Sequence, residues 1–272
     1  MSYELLRYHV EDRVAVIAYD RQERRNAWSL AMVREVMAAV RQANADDEVA
    51  AIVLTHEGPV FCAGSDVKDG PHPRDPATGV RPNMATESMA DGASWPQLLV
   101  DSKPFVAAVD GPALGAGATQ LLSADLRIVG EGAVFSFPFL AFAAMPELGS
   151  TGLLARLVGF GRAAEIIYTS RQLDAREALE IGLVNRVVPA GEARAQGIAA
   201  ARQLTSIPAL QFRLTKGLMH ANFLEEDISQ VVRNEMSAFR TLFRAMKAQK
   251  GGPSEEGSML KGHAPVKVEA KS

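Results

Sequence analysis

At 272 residues, with 47% hydrophobic and 22% charged side chains, the chain has ordinary globular composition and enough length for a sizeable core in one large domain or two small ones. The 29 Lys and Arg against 32 Asp and Glu leave a formal net charge of −3, which offers no global basic field to nucleic acid or to an anionic membrane. The single cysteine, Cys62, excludes an internal disulfide, and no apolar run reaches signal or bilayer length, so a cytoplasmic location is expected. The five histidines show no metal-ligand spacing and Cys62 has no cysteine partner, so no metal site is expected.

Residues 3–10 and 14–19 read as two strands of a hairpin turning at Glu11, Asp12 and Arg13. The loop 20–28 carries Arg21, Arg24 and Arg25, either a solvated turn or a cationic lip for phosphates. Ser29 is placed to N-cap a helix whose Met32, Val33, Val36, Met37 and Val40 form a core stripe. Residues 50–55 read as a buried parallel strand. Val60, Phe61 and Cys62 then run into a turn of small residues, Ala63, Gly64 and Ser65, closed by Asp66. Residues 68–91 are punctuated by Gly and Pro without steady periodicity, which points to a mobile lid or pocket wall.

After a helix around 92–101, Phe105 to Val109 reads as a buried strand, and Asp110, Gly111 and Pro112 force a turn. Gly115, Ala116, Gly117 and Ala118 then open a helix whose first N–H groups are available to an oxyanion. Alone, such a turn reads equally well as a close approach of strand and helix. Two of them in one chain suggest a pair of converging donors, the requirement for stabilising a thioester enolate. Strands are expected at 125–129 and 133–137, followed by an apolar neighbourhood interrupted by one carboxylate, Glu147 after Pro146. Helices at 149–158, 159–168 and 174–180, a strand at 184–188, and helices at 192–204, 208–219 and 224–248 complete the chain. This pattern predicts an α/β core over 1–188, a helical region over 189–248 suited to oligomerisation, and a mobile tail over 249–272.

RQERRNAWS (21–29), FCAGSD (61–66), GPALGAGAT (111–119) and AEIIYTSRQLDAREALEIGLVNRVV (164–188), followed by a helical third, resemble the crotonase, or enoyl-CoA hydratase/isomerase, superfamily. The resemblance covers about residues 3–220 and weakens after Glu235. It implies an α/β spiral of ββα units with a C-terminal helical oligomerisation region, assembled as a homotrimer or a dimer of trimers. It also implies an acyl-CoA substrate, with coenzyme A as part of the substrate and no permanently bound cofactor. The thioester oxygen would be held by the backbone N–H groups of Ser65 and Ala116, and coenzyme A by Arg24, Arg25, Ala27, Ala63, Gly64, Asp66 and Gly115.

The positions where typical hydratases of that superfamily carry their two glutamates hold Thr119 and Phe139 here, and neither side chain can move a proton from carbon. PFLAFAAMPELGS (138–150) looks like the peroxisomal-type Δ3,Δ2-enoyl-CoA isomerases, whose single glutamate shuttles one proton, and Glu147 matches that placement. Phe139, Phe142 and Leu148 are expected to form the acyl pocket and to desolvate the acid. Other readings remain open: Glu147 as a first-turn helix acid, another enolate reaction (hydratase, thioester hydrolase or dehalogenase) with Glu147 as a nucleophile in some cases, or a non-catalytic acyl-CoA-binding protein. Asp69, Glu87 and Asp91 read as surface charges and Cys62 as core.

Overall fold

The structure is a computed structural model that describes residues 2–68 and 94–250. The expected lid (68–91) and tail (249–272) lie outside the described residues except at Lys68 and residues 249 and 250.

Strands β1 (Leu6–Glu11) and β2 (Val14–Tyr19) form the expected hairpin, with Leu6 opposite Tyr19 and Glu11 opposite Val14. Its two-residue turn places Asp12 at φ 46° and Arg13 at φ 66°, the left-handed pair whose twist suits a tight hairpin. From β2 the sheet grows in parallel through β3 (Ala51–His56), β4 (Phe105–Val109), β6 (Leu126–Gly130) and β9 (Arg186–Val188). A second, three-stranded sheet joins β5 (Pro112–Leu114), β7 (Val134–Ser136) and β8 (Gln172–Asp174) in that order. Sequence periodicity missed β5 and β8 because three residues carry no readable period. Pro112 looked like a breaker, yet it stands at the first position of its strand, where a missing N–H is tolerated.

The parallel strands are buried on both faces, which explains their unbroken apolar runs. On one face lies α1 (Leu30–Ala45), N-capped by Ser29, whose Oγ accepts from the Met32 N–H at 3.2 Å. Helices α2 (Trp95–Val100), α3 (Ala116–Thr119), α4 (Ser150–Val158), α5 (Phe160–Thr169) and α6 (Ala175–Glu180) connect or flank the strands. On the other face α7 (Ala193–Leu204) seats Ala193, Ala200 and Ala201 against Val53, Val106 and Ala108.

Backbone contacts divide the chain into two units, residues 1–217 and 218–272. Helix α7, grouped by its sequence with the helical region beginning at residue 189, falls inside the first unit. Its face of small residues lets it lie directly on the sheet. A Cβ at Gly197 would sit 2.6 Å from the Ala108 Cβ, closer than two non-bonded carbon atoms can approach without a shift. Gly197→Ala is therefore expected to lower the stability of the folded state by about 1–3 kcal/mol, read as a lower denaturation midpoint in urea with an unchanged slope. Helices α8 (Ala209–Asn222) and α9 (Ile228–Lys250) complete the described chain. In α9, the exposed Ile228, Val232, Met236 and Phe239 recur at helical spacing along one face.

Candidate active site

Both small-residue turns leave the parallel sheet at the C-terminal ends of their strands, and the structure brings them together. Residues 62–65 act as a short strand between Trp28 and β5, through isolated bridges that pair Trp28 with Ser65 and Cys62 with Ala113. The Trp28 N–H donates to Gly64 O at 2.8 Å, and the Asp66 N–H donates to Trp28 O at 2.9 Å. Because the Gly64 carbonyl points toward Trp28, the N–H of the same peptide unit, that of Ser65, points the opposite way. On that side lies the second turn: a Cβ at Gly64 would be 3.0 Å from Leu114 O and 3.9 Å from Ala116 N. Gly64 has φ 97° and Gly115 has φ 52° with ψ −120°, conformations that only glycine adopts cheaply.

Gly115 N-caps α3 and its carbonyl accepts from the Ala118 and Thr119 N–H groups, each at 2.9 Å. Among the described residues, neither the Ser65 nor the Ala116 N–H has a backbone acceptor. A pair of such donors can hold an oxyanion where they converge on it, each contributing about 3 kcal/mol to a transition state that develops charge there. The spacing is set by contact, since a Cβ at Gly117 would lie 2.5 Å from Cys62 O. Cys62 itself is fully buried, and burial pushes its thiol up to about 12, which makes it a core residue and not a nucleophile.

The loop before α1 is held down by a residue the sequence reading overlooked. Asn26, at φ 53° and 1% exposed, donates from Nδ2 to Glu57 O at 3.0 Å and Val60 O at 2.8 Å, while its Oδ1 accepts from the Arg21 N–H at 2.8 Å. The one available signal was an asparagine in a charged loop, the residue that best tolerates a left-handed backbone. The clamp orders the loop so that Ala63 N–H donates to Arg25 O at 3.0 Å and Ala27 lies buried below. Arg21 turns inward, donating to Asp66 Oδ2 at 2.8 Å and to Ala27 O at 3.2 Å. Burial pushes the Asp66 carboxyl up, but the Lys68 N–H and the Arg21 guanidinium outweigh it and hold the group below its usual range. Arg24 and Arg25 remain exposed, with no ion-pair partner among the described residues.

Glu147 lies on the segment between β7 and α4, whose ends rest on the second donor turn and on the residues that follow it. At one end Ser136 O accepts from the Gly115 N–H at 2.9 Å, and at the other α4 packs against residues 120–123. Helix α4 begins only at Ser150, so Glu147 precedes the helix and is not a first-turn acid. Its carbonyl accepts from the Ser150 N–H at 3.0 Å across a turn formed by Leu148 at φ 52° and Gly149 at φ 73°. A left-handed leucine is strained, and strain of this kind gathers where a neighbouring side chain must be aimed. The Glu147 carboxylate is half-buried and has no hydrogen-bond or ion-pair partner among the described residues; burial raises its pKa above the usual carboxylate range.

At the two positions expected to hold glutamates in a hydratase, Thr119 spends its hydroxyl on Gly115 O and Ala116 O, both at 3.2 Å, and Phe139 is buried. Leu148 is half-buried beside Glu147, whereas Phe142 is 78% exposed and forms no wall within the single chain. A separate cavity of about 630 Å³ opens at the other end of the parallel sheet, between Arg13, Lys103, Pro104 and Phe212. None of the expected site residues lines it. Among the described residues no cluster of His, Cys, Asp and Glu could hold a metal ion, and no helix is long and apolar enough to cross a membrane.

The exits of two parallel strands lie against each other at one end of the sheet, and the two sheets with their flanking helices make the crotonase fold. The profile of the family described as enoyl-CoA hydratase/isomerase matches residues 9–257, and the chain belongs to that family. A Rhodobacter capsulatus protein named as a probable enoyl-CoA hydratase is 36% identical over 222 residues, covering 81% of this chain and 83% of its own. The 4-chlorobenzoyl coenzyme A dehalogenase-2 of an Arthrobacter species is 35% identical over 197 residues, 72% of this chain and 71% of its own. A Thermobifida fusca YX protein named for enoyl-CoA hydratase and solved in complex with CoA superposes with a TM-score of 0.75 at 31% identity, covering 90% of this chain and 95% of its own.

Proposed function

We propose that the protein moves a double bond in an acyl-CoA thioester, converting a 3-enoyl to a 2-enoyl chain, with Glu147 as the single proton carrier. The reading is carried by the half-buried Glu147, which has no partner among the described residues and lies on the segment that starts at Ser136, bonded to the Gly115 N–H, where Thr119 and Phe139 offer no second acid. In this mechanism the ionised Glu147 removes a proton from C2, and the electron pair delocalises into a dienolate. The dienolate oxygen accepts from the Ser65 and Ala116 N–H groups. Glu147 then returns the same proton to C4, so atoms and charge balance without a cofactor. A pKa raised by burial makes the proton transfer in each direction closer to balanced.

Arg24 and Arg25, exposed and without an ion-pair partner among the described residues, suit the phosphates of coenzyme A, and the turn 63–66 with Gly115 suits the pantetheine end; the relative solved with CoA supports this part of the reading. Phe139 and Leu148 would border the acyl chain. The apolar stripe on α9 fits assembly into trimers, and the single buried cysteine fits a cytoplasmic site of action.

The test offers 3-enoyl-CoA and 2-enoyl-CoA to the protein. The 3-enoyl substrate is expected to yield 2-enoyl-CoA, and accumulation of 3-hydroxyacyl-CoA as the main product from either would overturn the isomerase reading. Because only the ionised carboxylate can abstract the first proton, kcat/KM should rise with pH along an acid limb centred above the usual carboxylate range, reflecting the burial-raised pKa. A limb within or below that range would exclude Glu147 as the base.

One observation favours a second reading. The Arthrobacter relative is named as a dehalogenase acting on 4-chlorobenzoyl coenzyme A, and a carboxylate at position 147 could attack an activated carbon as a nucleophile. Release of chloride from 4-chlorobenzoyl-CoA separates the two, and on the isomerase reading none is expected.

A further inference from the structure

We propose that Tyr19 is a positioning residue for the oxyanion hole, its hydroxyl tying the Ser65 turn to the Ala116 turn at a fixed spacing. The proposal rests on the thioester reading above. Tyr19 is the last residue of β2, and it is completely buried. Trp28 donates from Nε1 to the Tyr19 hydroxyl at 2.9 Å, and that hydroxyl in turn donates to Oε1 of Gln120. Trp28 is the residue whose backbone brackets Ser65 through the bonds to Gly64 and Asp66. Gln120 directly follows α3, and its N–H bonds back to Ala116 O. A closed path therefore runs from Ser65 through Trp28, Tyr19 and Gln120 to Ala116. Trp95 braces it, donating from Nε1 to Gln120 O at 2.8 Å and meeting Trp28 edge-on at a centroid distance of 5.5 Å.

Stability alone does not account for these residues. Tyr19, Trp28, Trp95 and Gln120 are each at most 1% exposed, in a core where phenylalanine and leucine would fill similar space. Exchanging both members of a buried hydrogen-bonded pair for apolar groups of the same shape is close to neutral. The Gln120 Nε2 even lacks a hydrogen-bond partner among the described residues, a cost a leucine would avoid. What the polar chain adds is direction: hydrogen bonds fix distance and angle where apolar contacts tolerate sliding. The Tyr19 hydroxyl is both donor and acceptor, so it alone closes the path. Burial also pushes its phenol well above the usual range, which keeps the proton needed for the bond to Gln120.

The test reads the hole directly as well as through turnover. Carbonyl-13C-labelled acetyl-CoA has no double bond to shift, and difference infrared spectra report how strongly its thioester C=O is hydrogen-bonded when bound. In the wild type the stretch should fall below that of the free thioester. In Tyr19→Phe, and separately in Trp28→Phe, part of that shift should be lost, and kcat for 3-enoyl-CoA should fall about tenfold with KM unchanged. Tyr8→Phe removes a buried hydroxyl on the neighbouring strand outside the path, and it should change neither reading. The double variant Tyr19→Phe/Gln120→Leu removes the stranded acceptor, so it should regain melting temperature without regaining kcat. Recovery of kcat in that double variant, or a wild-type spectrum and kcat in folded Tyr19→Phe, would overturn the positioning role. A wild type that binds the probe without any carbonyl shift would instead overturn the thioester reading beneath it.

Discussion

Replacing Glu147 by glutamine should lower kcat for the 3-enoyl to 2-enoyl conversion by about 10²–10⁴-fold, the usual contribution of a positioned general acid–base. KM should stay close to the wild-type value, because in the proposed mechanism the donor turns and the arginine lip hold the substrate and the carboxylate does not. The loss should be near the upper end of that range, since one group performs both the abstraction and the return, and Thr119 and Phe139 cannot substitute. Stability should move the other way. A carboxyl whose folded pKa is raised favours the folded state most fully below its unfolded value, and that contribution declines as pH rises through the folded value. At neutral pH the wild type therefore holds a penalised charge that the amide lacks, and Glu147→Gln should melt no lower than the wild type. Steady-state kinetics with a thermal melt at neutral pH check both halves, and isomerisation that survives the substitution removes Glu147 from the mechanism.

Gly117→Ala should also be damaging, although it changes no chemical group. The added methyl would stand 2.5 Å from Cys62 O, 2.8 Å from Cys62 Cβ and 3.1 Å from Cys62 C. Two of those atoms are backbone, so relief requires the two donor turns to separate. Displacement of about 1 Å at a reacting centre can cost about 10²-fold in rate, and overpacking of this kind costs about 1–3 kcal/mol of stability. Gly152 in α4 provides the comparison. A Cβ there meets nothing within 4 Å, and Gly152→Ala in an exposed first turn should leave kcat unchanged and raise stability by about 0.5–1 kcal/mol. Equal effects from the two glycines would mean that the contact between Gly117 and Cys62 does not set the hole.

Much of this was legible in the chain itself. Apolar runs at 50–55 and 105–109 identified buried parallel strands, the stripe from Met32 to Val40 identified α1, and Ser29 was recognised as its cap; local pattern and hydrogen-bond chemistry suffice for such elements. The small-residue turns at Gly64 and Gly115, and the absence of a second acid at Thr119 and Phe139, were also readable, because glycine and carboxylates state their roles by identity. Other features exist only once distant segments meet. Strands β5 and β8 gain their hydrogen bonds from β7 and have no period of their own. Asn26 became a clamp only when residues 57–60 came beside it, and Arg21 left the cationic lip because Asp66 stood within reach. Residue identities alone determined that the chain could present two N–H donors and one carboxylate. The tertiary structure decided that the two turns lie against each other and that Glu147 stands ahead of its helix, half-buried, because contact and burial are properties of neighbours brought together from distant positions such as 28, 62 and 114, which no local stretch contains.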